Sequence, residues 1–413
     1  MFEYNEWSAP LLPGFLQGLV FAVILLIRGY REERISDYFA ALLLIAGSMY
    51  VGQWMLGFAG WYDAHDWRTT LMFYVEWKNL LVFGPLIWLY FRALTNTDFR
   101  WERKYWWHFL PLGIVLLQPL FIFLYDFGYW RLINGEPFTF FYDTRGPLAE
   151  LDNSDIGSLS ILFDVIFVFS FLHLIYYLIK TLLDYRKYRS YLDREFSNAE
   201  QLTFSSLKFT LYLMLLGVAT TLVLEIGNYL FSTSYVDSWD SYFAMSVLNF
   251  LVAIQFLAIN PRLTRALRFS PNREIAKPVE KQKQSIKSSA EKEKTDAELQ
   301  VWANKLETHL QEHRDYLNPD LKMGELAESI GTNTSVMSRV INSIYGKNFN
   351  DFINAHRCEA FIRMIREGAH HRHTLLSIAL DCGFNSKSTF NRAFKKHAGI
   401  SPGEAVKREM VAG

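Results

Sequence analysis

Residues 378–402 read IALDCGFNSKSTFNRAFKKHAGISP, and a stretch with the same plan, LAESIGTNTSVMSRVINSIYGKNF, lies upstream at 326–349. Leu326-Ala327-x-x-x-Gly331 matches Ile378-Ala379-x-x-x-Gly383. After one extra residue in the second turn, Ser335-Val336-Met337-Ser338-Arg339 matches Ser388-Thr389-Phe390-Asn391-Arg392, and Gly346 then matches Gly399. The repeat predicts, in each copy, a short helix, a turn at the glycine and a second helix. Alanine permits the close helix contact and glycine the sharp turn that a helix-turn-helix needs.

The second helix of each copy has two chemically different sides. Met337, Val340, Ile341 and Ile344 in the first copy, and Phe390, Ala393 and Phe394 in the second, can bury. The other side offers Thr334, Ser335, Ser338, Arg339 and Asn342, then Lys387, Ser388, Asn391, Arg392, Lys395 and Lys396. Arginine can form two hydrogen bonds to guanine and asparagine two to adenine, while lysine and serine suit phosphates or base edges. A helix over about 350–367 would be about 27 Å long at 1.5 Å per residue. That is the right order to hold two reading heads about one DNA turn apart, roughly 34 Å.

Residues 378–402, together with YLNPDLKMGELAESIGTNTSVMSRVINSIYGKNFNDFINAHR at 316–357, closely resemble the AraC/XylS family of bacterial transcription regulators. The resemblance spans about 297–406. It implies that Ser335, Ser338 and Arg339 face bases in one groove, and that Lys387, Ser388, Asn391 and Arg392 face them in the next. The chain departs from the pattern after Ser401-Pro402, where Ala405-Val406 replace the usual aromatic. The apolar half resembles, more distantly, the membrane sensor halves attached to some such regulators.

Charge supports a DNA-facing surface locally rather than globally. The chain carries 42 Lys+Arg and 42 Asp+Glu, a net charge of zero. Residues 387–408 nevertheless hold six basic residues and one acid, Glu404, which gives a phosphate-attracting field. A helical protein-interaction module is the alternative for this part.

Upstream the composition changes. Residues 271–296, PNREIAKPVEKQKQSIKSSAEKEKTD, lack the large apolar side chains that a core needs, so a charged flexible linker is expected over 263–296. Before it, 51% hydrophobic and 16% aromatic composition reflects long apolar runs such as LLPGFLQGLVFAVILLI at 11–27 and FAMSVLNFLVAIQFLAI at 243–259. Seven membrane helices are expected at about 11–27, 36–58, 71–91, 105–125, 157–180, 204–230 and 242–259. The N-terminus carries two acids and no basic segment, which fits a cleaved signal peptide poorly.

Alternate loops differ sharply in Lys and Arg. One set holds twelve, from Arg28 to Arg194, and the other only Arg68, Arg131 and Arg145. The positive-inside rule then puts the N-terminus outside and everything after 260 in the cytoplasm. Two cysteines, Cys358 and Cys382, lie in that cytoplasmic part and are expected as small core residues, not a disulfide.

Ionisable groups inside apolar spans are costly unless paired or wet, which makes Glu76, Lys78, Asp164 and Glu225, with Asn228, candidates for a signal site. A structural Lys78–acid pair is the alternative. Asn249 and His173, nearer mid-depth or inward, could equally be functional groups or interhelical hydrogen bonders. His370, His371 and His373 are expected in a solvated turn rather than a metal site, and no metal or other cofactor is expected. No Walker loop, GxSxG elbow, HExxH or kinase motif occurs, so no enzymatic activity is expected.

These observations give an all-α chain: a seven-transmembrane helical domain over 1–262, a linker over 263–296 and a tandem helix-turn-helix domain over 297–413. The expected function is a membrane-bound one-component transcription regulator, multi-pass in the bacterial inner (cytoplasmic) membrane. The expected partners are double-stranded promoter DNA, the lipid bilayer, a small-molecule or proton signal, and a second copy in a homodimer. Two alternatives remain: a transporter or membrane enzyme with a regulatory tail, and a membrane protein with a helical interaction module.

Overall fold

The computed structural model describes residues 4–75, 77, 79–135, 157–203, 205–231, 239–259, 267–271 and 289–412. Every regular element among them is helical; two isolated bridges, Asn96 with Arg268 and Phe196 with Lys322, are the β-type pairings found. The chain forms two compact units. One comprises Met1–Tyr185 and Phe204–Ser270, the other Arg186–Thr203 and Pro271–Gly413. The interhelical segment 186–203 thus belongs with the C-terminal unit, although the sequence places it among the loops of the apolar half.

The first unit contains α1 (Leu12–Arg31), α2 (Ile35–Phe58), α3 (Trp67–Tyr74), α4 (Phe83–Leu94) and α5 (Leu110–Phe123), which a π-helical turn extends to Ile133. It continues with α6 (Gly157–Glu195), whose last turns fall in the second unit, then, after α7 (Ala199–Leu202) of that unit, with α8 (Ser205–Phe231) and α9 (Trp239–Ala258). Among the described residues, five helical segments are long and apolar enough to cross a membrane: Leu12–Arg31, Ile35–Phe58, Arg103–Ile133, Val165–Glu195 and Trp239–Ala258. Leu80–Leu94 and Lys208–Leu224 are apolar but shorter.

The third expected span, 71–91, is not one helix. α3 stops at Tyr74, Val75 is extended, and Asn79 caps a new start by accepting from the Leu81 amide at 3.0 Å. Pro85 falls in the first turn of α4, where a missing amide is tolerated.

α1, α2 and α9 pack through small residues. A Cβ at Gly18 would collide with Ser48 and Asn249, and one at Gly47 with Asn249. Small residues let membrane helices approach closely enough for dispersion and polar contacts to hold them. Asn249 uses that approach, donating from Nδ2 to Ser48 Oγ at 3.3 Å, an interhelical bond. At one end of the same helices Arg28 meets Asp37 at 2.6 Å and donates to the carbonyls of Phe256 and Leu257. Leu16, Val20, Val23 and Ile27 of α1 and Ile114, Leu117 and Leu120 of α5 stay exposed.

The second unit comprises α10 (Ser289–His313), α11 (Met323–Ser329), α12 (Thr334–Ile344), α13 (Phe349–Arg366), α14 (Leu375–Asp381), α15 (Lys387–Ala398) and α16 (Pro402–Ala412). α10 begins at Ser289, inside the stretch expected as a tether; residues 272–288 lie outside the described residues. One core unites these helices, from Leu299 and Leu306 through Leu326, Met337 and Phe352 to Phe361, Ile378, Phe390, Phe394 and Val406. Val406 thereby seats α16 where the resemblance led one to expect an aromatic.

Candidate nucleic-acid interface

α12 and α15 begin on side-chain caps, as their sequences require. Asn333 accepts from the Val336 amide at 3.0 Å, and Ser386 accepts from the Thr389 amide at 3.2 Å. Each cap satisfies one of the amides left open at a helix start. The turns before them pass through Gly331 at φ +75° and Gly383 at φ +91°. Gly383 has a second reason to lack a side chain: a Cβ there would lie 2.6 Å from the Tyr316 carbonyl and 3.0 Å from Arg357 Nε.

Burial separates the two sides of each helix. Met337, Val340 and Ile341 of α12 and Phe390 and Phe394 of α15 are buried. Ile344, expected with them, remains 37% exposed because it ends α12 beyond the contact with the core. Ser335, Arg339 and Asn342 are exposed and Ser338 half-buried; Asn342 donates to Ser338 Oγ at 3.2 Å. On α15, Lys387, Ser388, Asn391, Arg392, Lys395 and Lys396 are all exposed. α13, observed at Phe349–Arg366 and so within a residue of the expected helix, packs against both.

The most connected polar residue of this unit went unnoticed in the sequence. Arg357 of α13 is 1% exposed. It donates from Nε to the Tyr316 carbonyl at 2.7 Å, and from Nη2 to the Asn318 carbonyl at 2.7 Å and to Ser197 Oγ at 3.0 Å. Burial pushes its pKa down to about 10, which leaves it charged at neutral pH. Its position in a helix rich in Asn, His and Arg gave no sign of burial. A cue was available only in the alternation of Phe352, Ala355 and Phe361 with polar neighbours.

Two of the exposed cations already hold carboxylates. Arg392 is ion-paired with Glu200, and Lys396 with Asp351 at 2.6 Å. Arg189 and Asp193 also lie within electrostatic reach of Arg392, with opposite effects.

Glu76 and Lys78 lie outside the described residues, as do the side chains of Asp164, Glu225 and Asn228. His371 and His373 are exposed, and His370 Nδ1 lies 3.1 Å from the Ile365 carbonyl. No group of three metal-binding side chains occurs among the described residues. Cys358 and Cys382 are both free thiols and buried, and Cys382 Sγ sits 3.6 Å from Met364 Sδ.

A family model described as a helix-turn-helix domain matches residues 326–408. The matched segment begins within α11 and ends within α16, so it contains all of α12, α13, α14 and α15. The match supports a DNA-binding domain of regulatory type. No curated protein and no solved structure matches the chain.

Proposed function

We propose that the protein is a membrane-bound one-component transcription regulator. Its C-terminal unit would bind double-stranded promoter DNA through two helix-turn-helix motifs of AraC type, and its apolar half would receive an external or bilayer signal. The helix-turn-helix match over 326–408, on a unit whose α12 and α15 turn their polar sides outward, carries the DNA-binding part. On this reading Ser335, Ser338, Arg339 and Asn342 enter one major groove. Lys387, Ser388, Asn391 and Arg392 enter the next, with Lys395 and Lys396 on phosphates.

The membrane part rests on the five long apolar helices and on the twelve-to-three imbalance of basic residues between alternate loops. Seven spans follow if the segments containing Leu80–Leu94 and Lys208–Leu224 also cross. The C-terminal unit is then cytoplasmic, where it can reach the chromosome. The test is direct. A fragment of residues 297–413 contains the whole hydrophobic cluster that runs from Leu299 to Val406, without segment 186–203, and should bind duplex DNA. Absence of binding to a random-sequence duplex pool at low salt would overturn the function.

A further inference from the structure

Segment 186–203 joins two helices of the apolar half, yet it is built into the C-terminal unit. Phe196, Ser197, Ala199 and Leu202 are buried there. The Ser197 amide donates to the Leu321 carbonyl at 3.1 Å, and Asn350 Nδ2 donates to the Ser197 carbonyl at 2.8 Å. Ser197 Oγ accepts from Arg357 at 3.0 Å, and Asn198 donates to Asp320 at 2.8 Å. A segment held by main-chain bonds, a buried arginine and apolar burial together has one fixed register against its partner. That register is what brings Glu200 onto Arg392 of α15.

We infer that segment 186–203 is an intramolecular competitor for DNA, with the Glu200 carboxylate occupying the place on Arg392 that a phosphate or guanine edge would take. The inference rests on the DNA-binding reading of α15. An oxygen anion on a guanidinium imitates the group that arginine meets on nucleic acid, since carboxylate and phosphate offer the same two-oxygen geometry. Asp193 adds a second negative charge within reach of Arg392 and Lys396, partly offset by Arg189. Both ends of the segment are peptide-bonded to helices of the apolar half. A change of packing in those helices that favours the released segment would therefore raise the DNA affinity of the C-terminal unit. A signal acts this way only if it prefers one arrangement.

The test compares the full-length chain in lipid nanodiscs with Glu200→Gln, with Arg392→Ala, and with both changes together. Binding is read with a fluorescent duplex of mixed sequence, about 30 base pairs long so as to span adjacent grooves. The Glu200→Gln chain should bind about two- to fivefold more tightly than the wild type, the range an exposed charge pair supplies. In the Arg392→Ala background the Glu200 change should have no effect. Equal affinity of wild type and Glu200→Gln would overturn the competitor while leaving DNA binding intact. The same gain in both backgrounds would also overturn it, leaving only general charge repulsion. Failure of every chain to bind duplex would overturn the DNA-binding reading itself, and the competitor with it.

Discussion

Arg357 donates to the Ser197 hydroxyl at 3.0 Å across 160 residues of chain. The same guanidinium closes the turns at Tyr316 and Asn318, so one buried cation ties α13, the lead-in to α11 and segment 186–203 together. A buried charge is tolerated because each of its bonds is charge-assisted and several oxygens converge on it. Gly383, which admits the Tyr316 carbonyl, is the other half of this arrangement.

Replacing Arg357 with leucine should cost about 2–4 kcal/mol, because the buried Tyr316 carbonyl would lose its guanidinium donor and the Asn318 carbonyl one of its two donors. Lysine should rescue little, since a point ammonium cannot reproduce the fork. Denaturant unfolding of fragment 297–413, which contains both carbonyls but not Ser197, reads this. A midpoint within error of the parent fragment would show the arginine to be dispensable.

Arg339→Ala and Arg392→Ala should each cost about 1–3 kcal/mol of DNA binding in that fragment and relax base preference at one position. Lys395→Ala should instead weaken all sequences alike and flatten the salt dependence. Equal losses on selected and random duplexes for both arginine variants would sink the base-reading assignment.

Burial pushes the Cys358 and Cys382 thiols up to about 12 from an ordinary 9.0. The folded state therefore holds their protons more tightly than the unfolded one. Their contribution to stability is complete below pH 9.0 and is lost as the pH rises toward 12. Alkylating reagent at about pH 8, below the ordinary thiol range, should label neither thiol until denaturant is added. The alkaline loss of stability should be smaller in the Cys358→Ala/Cys382→Ala fragment. Rapid labelling of the folded fragment would contradict the burial.

A reporter fused after residue 150 should be external, and one fused after residue 285 cytoplasmic, given the distribution of Lys and Arg. An external 285 fusion would remove the DNA-binding unit from the chromosome and end the regulatory reading.

Asp164→Asn and Glu225→Gln should alter the response of a promoter reporter to its signal while leaving the DNA affinity of fragment 297–413 untouched. The motive is their place in apolar stretches of sequence, where an unpaired charge is expensive. Wild-type responses from both variants at normal membrane levels would assign these carboxylates to structure.

The helical character of both halves and the internal repeat are legible in the sequence, because hydrophobic period and motif spacing are local properties. Periodicity and glycines act within a few residues, so Gly331 and Gly383 predict their turns before any packing is known. The break before Asn79 was not legible, because long apolarity masks where a helix restarts. The burial of Arg357, the place of segment 186–203 in the C-terminal unit and the meeting of Glu200 with Arg392 emerge from packing alone. Ser197 and Glu200 carry no local signal of those partners. Their roles come from main-chain and charge pairings between stretches more than a hundred residues apart, which local periodicity does not encode and which form only once the core has set the register.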